Sequence, residues 1–245
     1  MWSVASDGVK VVVQAVVSSG CVGYYPRPLI AANQRQISQV SAQNIIVDYD
    51  AGNLHSVLRA CREVGLDAEI SDDPHAISQA DRVIFPGVGA AGSAMASLRK
   101  TGIDAALTEV MQRGQPMLGI CLGLQISLDY SEENDTQTLG FVPGKVRRFS
   151  LNRPDLKIPH MGWNEVVVTQ PHPVLADIEP GDEFYFVHGY YPEPERAEQV
   201  YARTEYESEF ACAIGHDNYF ATQFHPEKSG RVGLRLIQNF AGWSC

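Results

Sequence analysis

The 245-residue chain carries a formal net charge of −10, with 44% hydrophobic and 20% charged residues. That composition belongs to an ordinary globular protein with room for a sizeable core, and its acidic balance argues against nucleic acid or an anionic membrane surface as the main partner. No stretch approaches the roughly 18 apolar residues that cross a bilayer. Cys21, Cys61, Cys121, Cys212 and Cys245 include no Cys-X-X-Cys pair, so neither a disulfide framework nor a zinc site is indicated and a reducing compartment fits.

Residues 1–43 differ from the rest. Between Met1 and Val47 the only acidic residue is Asp7, against Lys10, Arg27 and Arg35, and the stretch is rich in Ser, Gln and Val around Pro26 and Pro28. Three readings of this N-terminal extension stand side by side: a disordered tail or over-long start, an acid-poor targeting segment, or an added element in which Val9–Val17 pairs as a strand. A lipoprotein signal ending at Cys21 is the weakest, because Gln14 interrupts its short apolar core. The fold argument starts after it.

The folded pattern begins with Asn44–Asp48, which reads as a strand, followed by a helix over Asn53–Gly65 with Asn53 as cap and Gly65 as terminator. Leu54, Val57, Leu58, Cys61 and Val64 share one face of that helix, so Cys61 is core packing. Ala68–Ile70 and Arg82–Pro86 follow as strands, then Ser93–Leu98 and Ile103–Gln112 as helices. Met117–Ile120 is an apolar strand that runs into Gly119-Ile-Cys121-Leu-Gly123, with Leu122, Gln125, Ile126 and Leu128 beyond it at helical spacing. Strands alternating with helices this far indicate a parallel sheet wound by right-handed crossovers. From Phe141 onward the runs 146–149, 165–169, 183–188, 200–206, 211–216 and 219–224 are short, strand-like and broken by Pro, Gly and Asp. They suggest an antiparallel or mixed extension of the sheet. A last helix, Arg231–Phe240, turns Val232, Leu236 and Phe240 inward. The fold class is therefore α/β, with a mixed, mainly parallel sheet and an antiparallel C-terminal extension, in one domain over residues 44–245.

A strand that turns sharply into a helix needs small neighbours, because its central residue is held strained with the side chain presented at the surface. That is the nucleophile elbow, here with Cys121 where Ser is more familiar. The turn also sets the sulfur at a helix N-terminus, where free N–H groups favour thiolate. The plainer alternative is a buried core cysteine between chance glycines. Pro86-Gly-Val-Gly-Ala-Ala-Gly92 is a literal Gly-X-Gly-X-X-Gly and admits two readings. A dinucleotide fingerprint is disfavoured, since the motif follows the third strand, has Pro86 before it, and lacks an acidic ribose partner in the right place. The other reading makes residues 87–89 an oxyanion loop, whose N–H groups join that of Leu122 around a carbonyl oxygen as it becomes negative.

A cysteine nucleophile needs a base, and the base needs an orienting group. Of the seven His, His55, His75 and His172 read as solvent-facing, while His160 and His188 lie in runs that can face the cleft. His225 stands out because it ends a strand and precedes Pro226 and Glu227. Proline biases the preceding residue towards extended geometry, and residues at i and i+2 of an extended chain point the same way. Glu227 can then hold the ring of His225.

Together, Gly119-Ile-Cys-Leu-Gly-Leu-Gln125 and His225-Pro-Glu227 resemble the Cys-His-Glu motifs of class I glutamine amidotransferases, over essentially residues 44–245. Asp48-Tyr-Asp-Ala-Gly-Asn-Leu54, Pro86-Gly-Val-Gly89, Pro159-His-Met-Gly-Trp-Asn164 and Phe186-Val-His-Gly-Tyr190 are similar to one branch of that class, whose glutaminases serve a cyclase of histidine biosynthesis. The resemblance implies a three-layer, flavodoxin-like fold and glutamine hydrolysis through a thioester on Cys121, with His225 moving the protons and no metal or cofactor. It implies oxyanion donors at Gly89 and Leu122, a substrate contact from Gln125, and a partner face around Trp163, Asn164, Tyr185 and Lys228. It also implies a heterodimer with a separate (β/α)8-barrel cyclase, since such a barrel takes about 250 residues and this chain is already used. The peptide between Val88 and Gly89 is then a candidate gate, because flanking glycines make its rotation cheap. One departure is Gly189, where the class suggests Ser. A bacterial-type cytoplasm is the expected location, with a plastid as the alternative. The competing readings are a glutaminase of another class I amidotransferase, a stand-alone Cys hydrolase, or a regulatory subunit without chemistry.

Overall fold

The run Met117–Cys121 carries no polar or charged side chain apart from its terminal thiol and is buried throughout, and a strand of that kind needs cover on both faces. A computed structural model describes residues 43–245 apart from Ala51 and supplies that cover; residues 1–42, and with them the readings of the extension, lie outside the described residues. In chain order the first half runs β1 (Asn44–Val47), α1 (Leu54–Glu63), β2 (Glu69–Ser71), α2 (Pro74–Gln79), β3 (Arg82–Gly87), α3 (Ala91–Thr101), α4 (Ile103–Gln112), β4 (Met117–Cys121) and α5 (Leu122–Gln125). The second half adds β5 (Tyr130–Ser131), β6 (Thr136–Gln137), β7 (Gly144–Arg148), β8 (His160–Glu165), β9 (Val167–Val168), β10 (Glu183–His188), β11 (Tyr190–Pro194), β12 (Val200–Tyr206), β13 (Ser208–His216), β14 (Tyr219–Thr222) and α6 (Gly230–Gly242).

The main sheet has the order β2-β1-β3-β4-β14-β13-β12-β9. Its first five strands are parallel and the remainder antiparallel. Alternation along each parallel strand divides the core in two. Ile45, Val83, Phe85, Met117 and Tyr219 pack against α2, α3 and α4, while Ile46, Ile84, Leu118, Ile120 and Phe220 pack against α1 and α6. The result is the expected three-layer α/β arrangement. β8 and β10 form a separate antiparallel pair, and β11-β7-β5-β6 a four-stranded sheet.

α1 ends as its sequence suggests: Leu66 N–H donates to the Cys61 carbonyl and Gly65 N–H to that of Arg62, with Gly65 at φ +76°. Its start differs. The Asn53 side chain makes no capping bond, because ψ of 66° departs from the extended geometry that folds a side-chain oxygen over the first turn. α2 is absent from the sequence reading, although Asp73 accepts from His75 N–H and Pro74 occupies its first position. The elbow helix is also shorter than its apolar spacing suggests. The carbonyls of Ile126, Ser127 and Leu128 accept from the N–H groups of residues 139–142, so the chain leaves the helix after one turn. The run 165–169 divides into the end of β8 and the short β9.

Candidate active site

Three adjacent parallel strands, β3, β4 and β14, end side by side, and each delivers one part of the site at its carboxyl end. Gly87, last in β3, is paired with Cys121, last in β4. His225 follows β14 after two further residues.

Cys121 is held at φ 54° and ψ −105°, a region that L-residues rarely adopt. Its neighbours must be glycine for steric reasons. A Cβ on Gly119 would meet the Tyr219 hydroxyl and Ala221, and one on Gly123 would meet the carbonyl oxygen of Phe85. The elbow reading is thus matched by the backbone. Gly87 is equally constrained, with the Tyr49 hydroxyl against the place of its absent side chain. That hydroxyl is buried without a hydrogen-bond partner, and burial together with the neighbouring Cys121 sulfur keeps it protonated. Val88 is exposed and Gly89 sits at φ +109°, a conformation open to glycine.

His225 is 2% exposed and extended, at φ −101° and ψ 93°, as Pro226 requires. Its backbone is fixed from two sides: its N–H donates to the Tyr185 carbonyl at 2.9 Å, and its carbonyl accepts from Ser229 Oγ at 2.6 Å. Nδ1–H donates to Glu227 Oε1 at 2.8 Å, both side chains being almost fully buried. Burial works against charge on this ring. The Cys121 sulfur and the Glu227 carboxylate outweigh it, and the imidazole is pushed up to about 9. The other ring nitrogen, Nε2, is buried with no hydrogen-bond partner among the described residues, and an imidazole backed by a carboxylate in the neighbourhood of a thiol is the arrangement that thiol-based acyl transfer uses.

Gln125 and Gln223 form a second chain of contacts. Gln125 Nε2 donates to the Tyr190 carbonyl and to Gln223 Oε1, each at 3.0 Å, and Gln223 Nε2 lies 3.7 Å from Cys121 Sγ. Sequence reasoning misses Gln223, where the available signal is a glutamine inside an apolar strand two residues before the expected base. His160 and His188 bond to one another at 3.1 Å instead of lining an open cleft. Burial depresses both, His188 to about 3, and His188 also bonds the Tyr190 carbonyl at 2.6 Å. His172 is not solvent-facing as expected; it stacks on Phe220 and against Trp243, and burial lowers it to about 4.

Of the residues expected at a partner face, three cluster. Trp163 and Tyr185 are paired across β8 and β10 with rings 6.0 Å apart, and Lys228 Nζ lies 6.0 Å from the Tyr185 ring. Met161 (63% exposed) and Trp163 (51%) make the patch apolar. Asn164 does not join it. Neighbouring residues of a strand face opposite ways, and its side chain bonds inward to His160 and the Glu205 carbonyl. At Gly189 a Cβ would meet only Ile158 Cγ2, at an ordinary 3.5 Å, so the site has room for the Ser expected there.

The fold agrees with what comparison with known proteins finds. Residues 45–242 match the class I glutamine amidotransferase family, and the chain belongs to it. It is 47% identical over 212 residues (82% of this chain, 100% of the relative) to imidazole glycerol phosphate synthase subunit HisH of Neisseria meningitidis serogroup B. It is 52% identical over 200 residues (80% of this chain, 93% of the relative) to the subunit of the same name from Nitratidesulfovibrio vulgaris. Among solved structures, PurLQS from Thermotoga maritima superposes with a TM-score of 0.64 at 17% identity, covering 82% of this chain and 97% of the other. The glutaminase domain of CTPS from Trypanosoma brucei gives 0.60 at 18% identity, covering 84% and 96%. The last two speak to fold alone.

Proposed function

We propose that the chain is the glutaminase subunit of an imidazole glycerol phosphate synthase in histidine biosynthesis, passing ammonia to a separate cyclase subunit of (β/α)8-barrel fold. The observation that carries this reading is identity of 47% along the whole length of a subunit of that synthase. Cys121, His225 and Glu227 are the groups we assign to the chemistry.

The Cys121 thiolate adds to the side-chain amide carbon of glutamine, and the carbonyl electron pair moves to oxygen. The N–H groups of Leu122 and Gly89 receive that oxyanion. His225 gives its Nε2 proton to the amide nitrogen, the C–N bond breaks, and ammonia leaves a thioester behind. Water then adds to the thioester with His225 as base, releasing glutamate and the sulfur. Glu227 keeps the proton on Nδ1 and orients the ring. Gln125 supports the substrate side of the pocket.

Ammonia set free in neutral water becomes ammonium and no longer attacks, so a direct hand-over to the acceptor preserves the product. The apolar patch of Met161, Trp163 and Tyr185 beside Lys228 is the docking face we assign to the cyclase. The Val88–Gly89 peptide is its gate, supported by the open surroundings of Gly89. Free thiols at Cys61, Cys121, Cys212 and Cys245 suit the cytoplasm; among the described residues no helix is long and apolar enough to cross a membrane.

The test is ammonia release from glutamine with and without a barrel cyclase and its nucleotide substrate. Release near zero alone and strong in the complex is expected. Cys121→Ala is expected to abolish glutamine-fed synthesis by the complex and spare ammonia-fed synthesis. Full glutaminase activity without a partner, or survival of both activities in the variant, overturns the reading.

A further inference from the structure

The orientation of a buried amide is decided by what its neighbours can donate or accept, and here one backbone carbonyl decides two amides in series. The Tyr190 carbonyl can only accept, so the atom that Gln125 points at it, 3.0 Å away, is the nitrogen. The same nitrogen reaches the Gln223 side chain at 3.0 Å, which obliges Gln223 to present its oxygen there. The Gln223 nitrogen is thereby turned to the Cys121 sulfur, at 3.7 Å. Gln223 is 0% exposed and Gln125 5%, so both amides are shielded from bulk water. The Gln223 backbone is anchored as well, its N–H donating to the Cys212 carbonyl at 2.8 Å. The Val187 carbonyl, 4.0 Å from the same sulfur, can only accept.

We propose that Gln223 is a positioning residue for the nucleophile: its side-chain N–H, aimed through Gln125 by the Tyr190 carbonyl, holds the Cys121 sulfur in place as a hydrogen-bond acceptor. The inference deepens the reading of Cys121 as the attacking group and rests on it. A donor on the sulfur favours the thiolate over the thiol, because only the anion accepts strongly. It also fixes the side-chain torsion of a residue whose backbone is already strained, so the sulfur meets the amide carbon along one path. The bond weakens once the sulfur becomes a thioester and loses its charge. Gln223 therefore acts on the resting nucleophile, and does not touch the leaving nitrogen.

The first measurement reads the thiol directly and needs neither glutamine nor a partner. The full chain is alkylated with iodoacetamide across pH 5–10, and modification of the peptide bearing Cys121 is followed by mass spectrometry. Gln223→Met, similar in length but without the donor, is expected to raise the midpoint of the Cys121 profile by about one pH unit. Gln223→Glu, which replaces the donor by an anion, is expected to raise it further. In complex with the cyclase, kcat for glutamine is expected to fall about tenfold in Gln223→Met, with KM within about twofold. Because a buried substitution can impair folding, the unmutated chain supplies a second reading. With 15N-labelled glutamine, the Gln223 amide resonance is expected to titrate with the same midpoint as alkylation, and to lose that titration in Cys121→Ala. An unchanged alkylation midpoint in both Gln223 variants, or a Gln223 amide that is silent over the titration, overturns the proposal. A failed glutaminase assay with these thiol measurements intact would overturn the functional reading and leave the inference standing.

Discussion

Strain at the elbow can be measured by comparing the same substitution at two buried sites. In a Cys121→Ala background the sulfur and its electrostatic influence on His225 are already gone, so changing residue 121 from Ala to Gly alters only one methyl group and the backbone. At an ordinary buried position that change costs about 0.8 kcal/mol for the methyl and about 0.5–1 kcal/mol for the extra freedom of glycine in the unfolded chain. Ala221, fully buried in the neighbouring β14, is such a position. At residue 121 the φ of 54° and ψ of −105° are costly for any side chain, at about 1–3 kcal/mol, and glycine relieves that cost. Ala→Gly is therefore expected to be neutral or slightly stabilising at 121 and to destabilise by about 1.5 kcal/mol at 221. The gap of about 2 kcal/mol corresponds to about 4–8 °C in melting temperature for a domain of this size. Urea and thermal unfolding of Cys121→Ala, Cys121→Gly and the double variant Cys121→Ala/Ala221→Gly measure it. Equal losses at the two sites would refute the claim that the elbow is strained.

The glycines divide in the same way. Gly123→Ala places a methyl against the Phe85 carbonyl of a central strand and is expected to cost at least about 2 kcal/mol, whereas Gly189→Ser, which meets only Ile158, is expected within about 0.5 kcal/mol of the parent in urea melts. Asp50 is exposed at φ 64°, and Asp50→Gly is expected to raise stability by about 0.5–1 kcal/mol in the same assay. The pH dependence of stability has two limbs. His188, lowered to about 3, and His172, lowered to about 4, bind protons in the unfolded chain before they do in the folded one, so stability is expected to fall as pH drops below 6.5 towards those values. His225, raised to about 9, contributes stability that is fully present below 6.5 and lost as pH rises through 9; Glu227→Gln is expected to flatten that alkaline limb in urea melts followed across pH.

What the sequence disclosed and what it hid follow from the range of the interactions involved. The parallel half was legible because β1, β3 and β4 are apolar runs between helices of 3.6-residue period, and α1 ends at a glycine that its left-handed terminus requires. The strained turn at Cys121 and the His225–Glu227 bond were legible because local chemistry marks each: glycines around the elbow, and a proline that aligns residues 225 and 227. The antiparallel half was harder. β11 contains Pro192 and Pro194 and is missing from the strand-like runs of the sequence, yet it lies at a sheet edge, where a missing N–H is tolerated. The elbow helix stops where residues 139–142 claim the carbonyls that follow it, those of Ile126, Ser127 and Leu128, a tertiary event that no periodicity announces. His172 and Asn164 escape sequence reasoning for the same cause: their partners, Phe220 and Trp243 for one, His160 and Glu205 for the other, become neighbours only in the fold.

The placement of the site on three side-by-side strand ends also bears on how the protein is made. Cys121 and Gln223 are separated by 102 residues of chain, and β14 takes its place beside β4 only after the intervening antiparallel elements have been synthesised. Until that strand is seated, residue 121 has neither imidazole nor amide beside it. Pairings of such long range form late. Under the roles proposed above, a growing or half-folded chain carries no assembled nucleophile that could attack other molecules of the cell, and the chemistry becomes available only to a finished molecule.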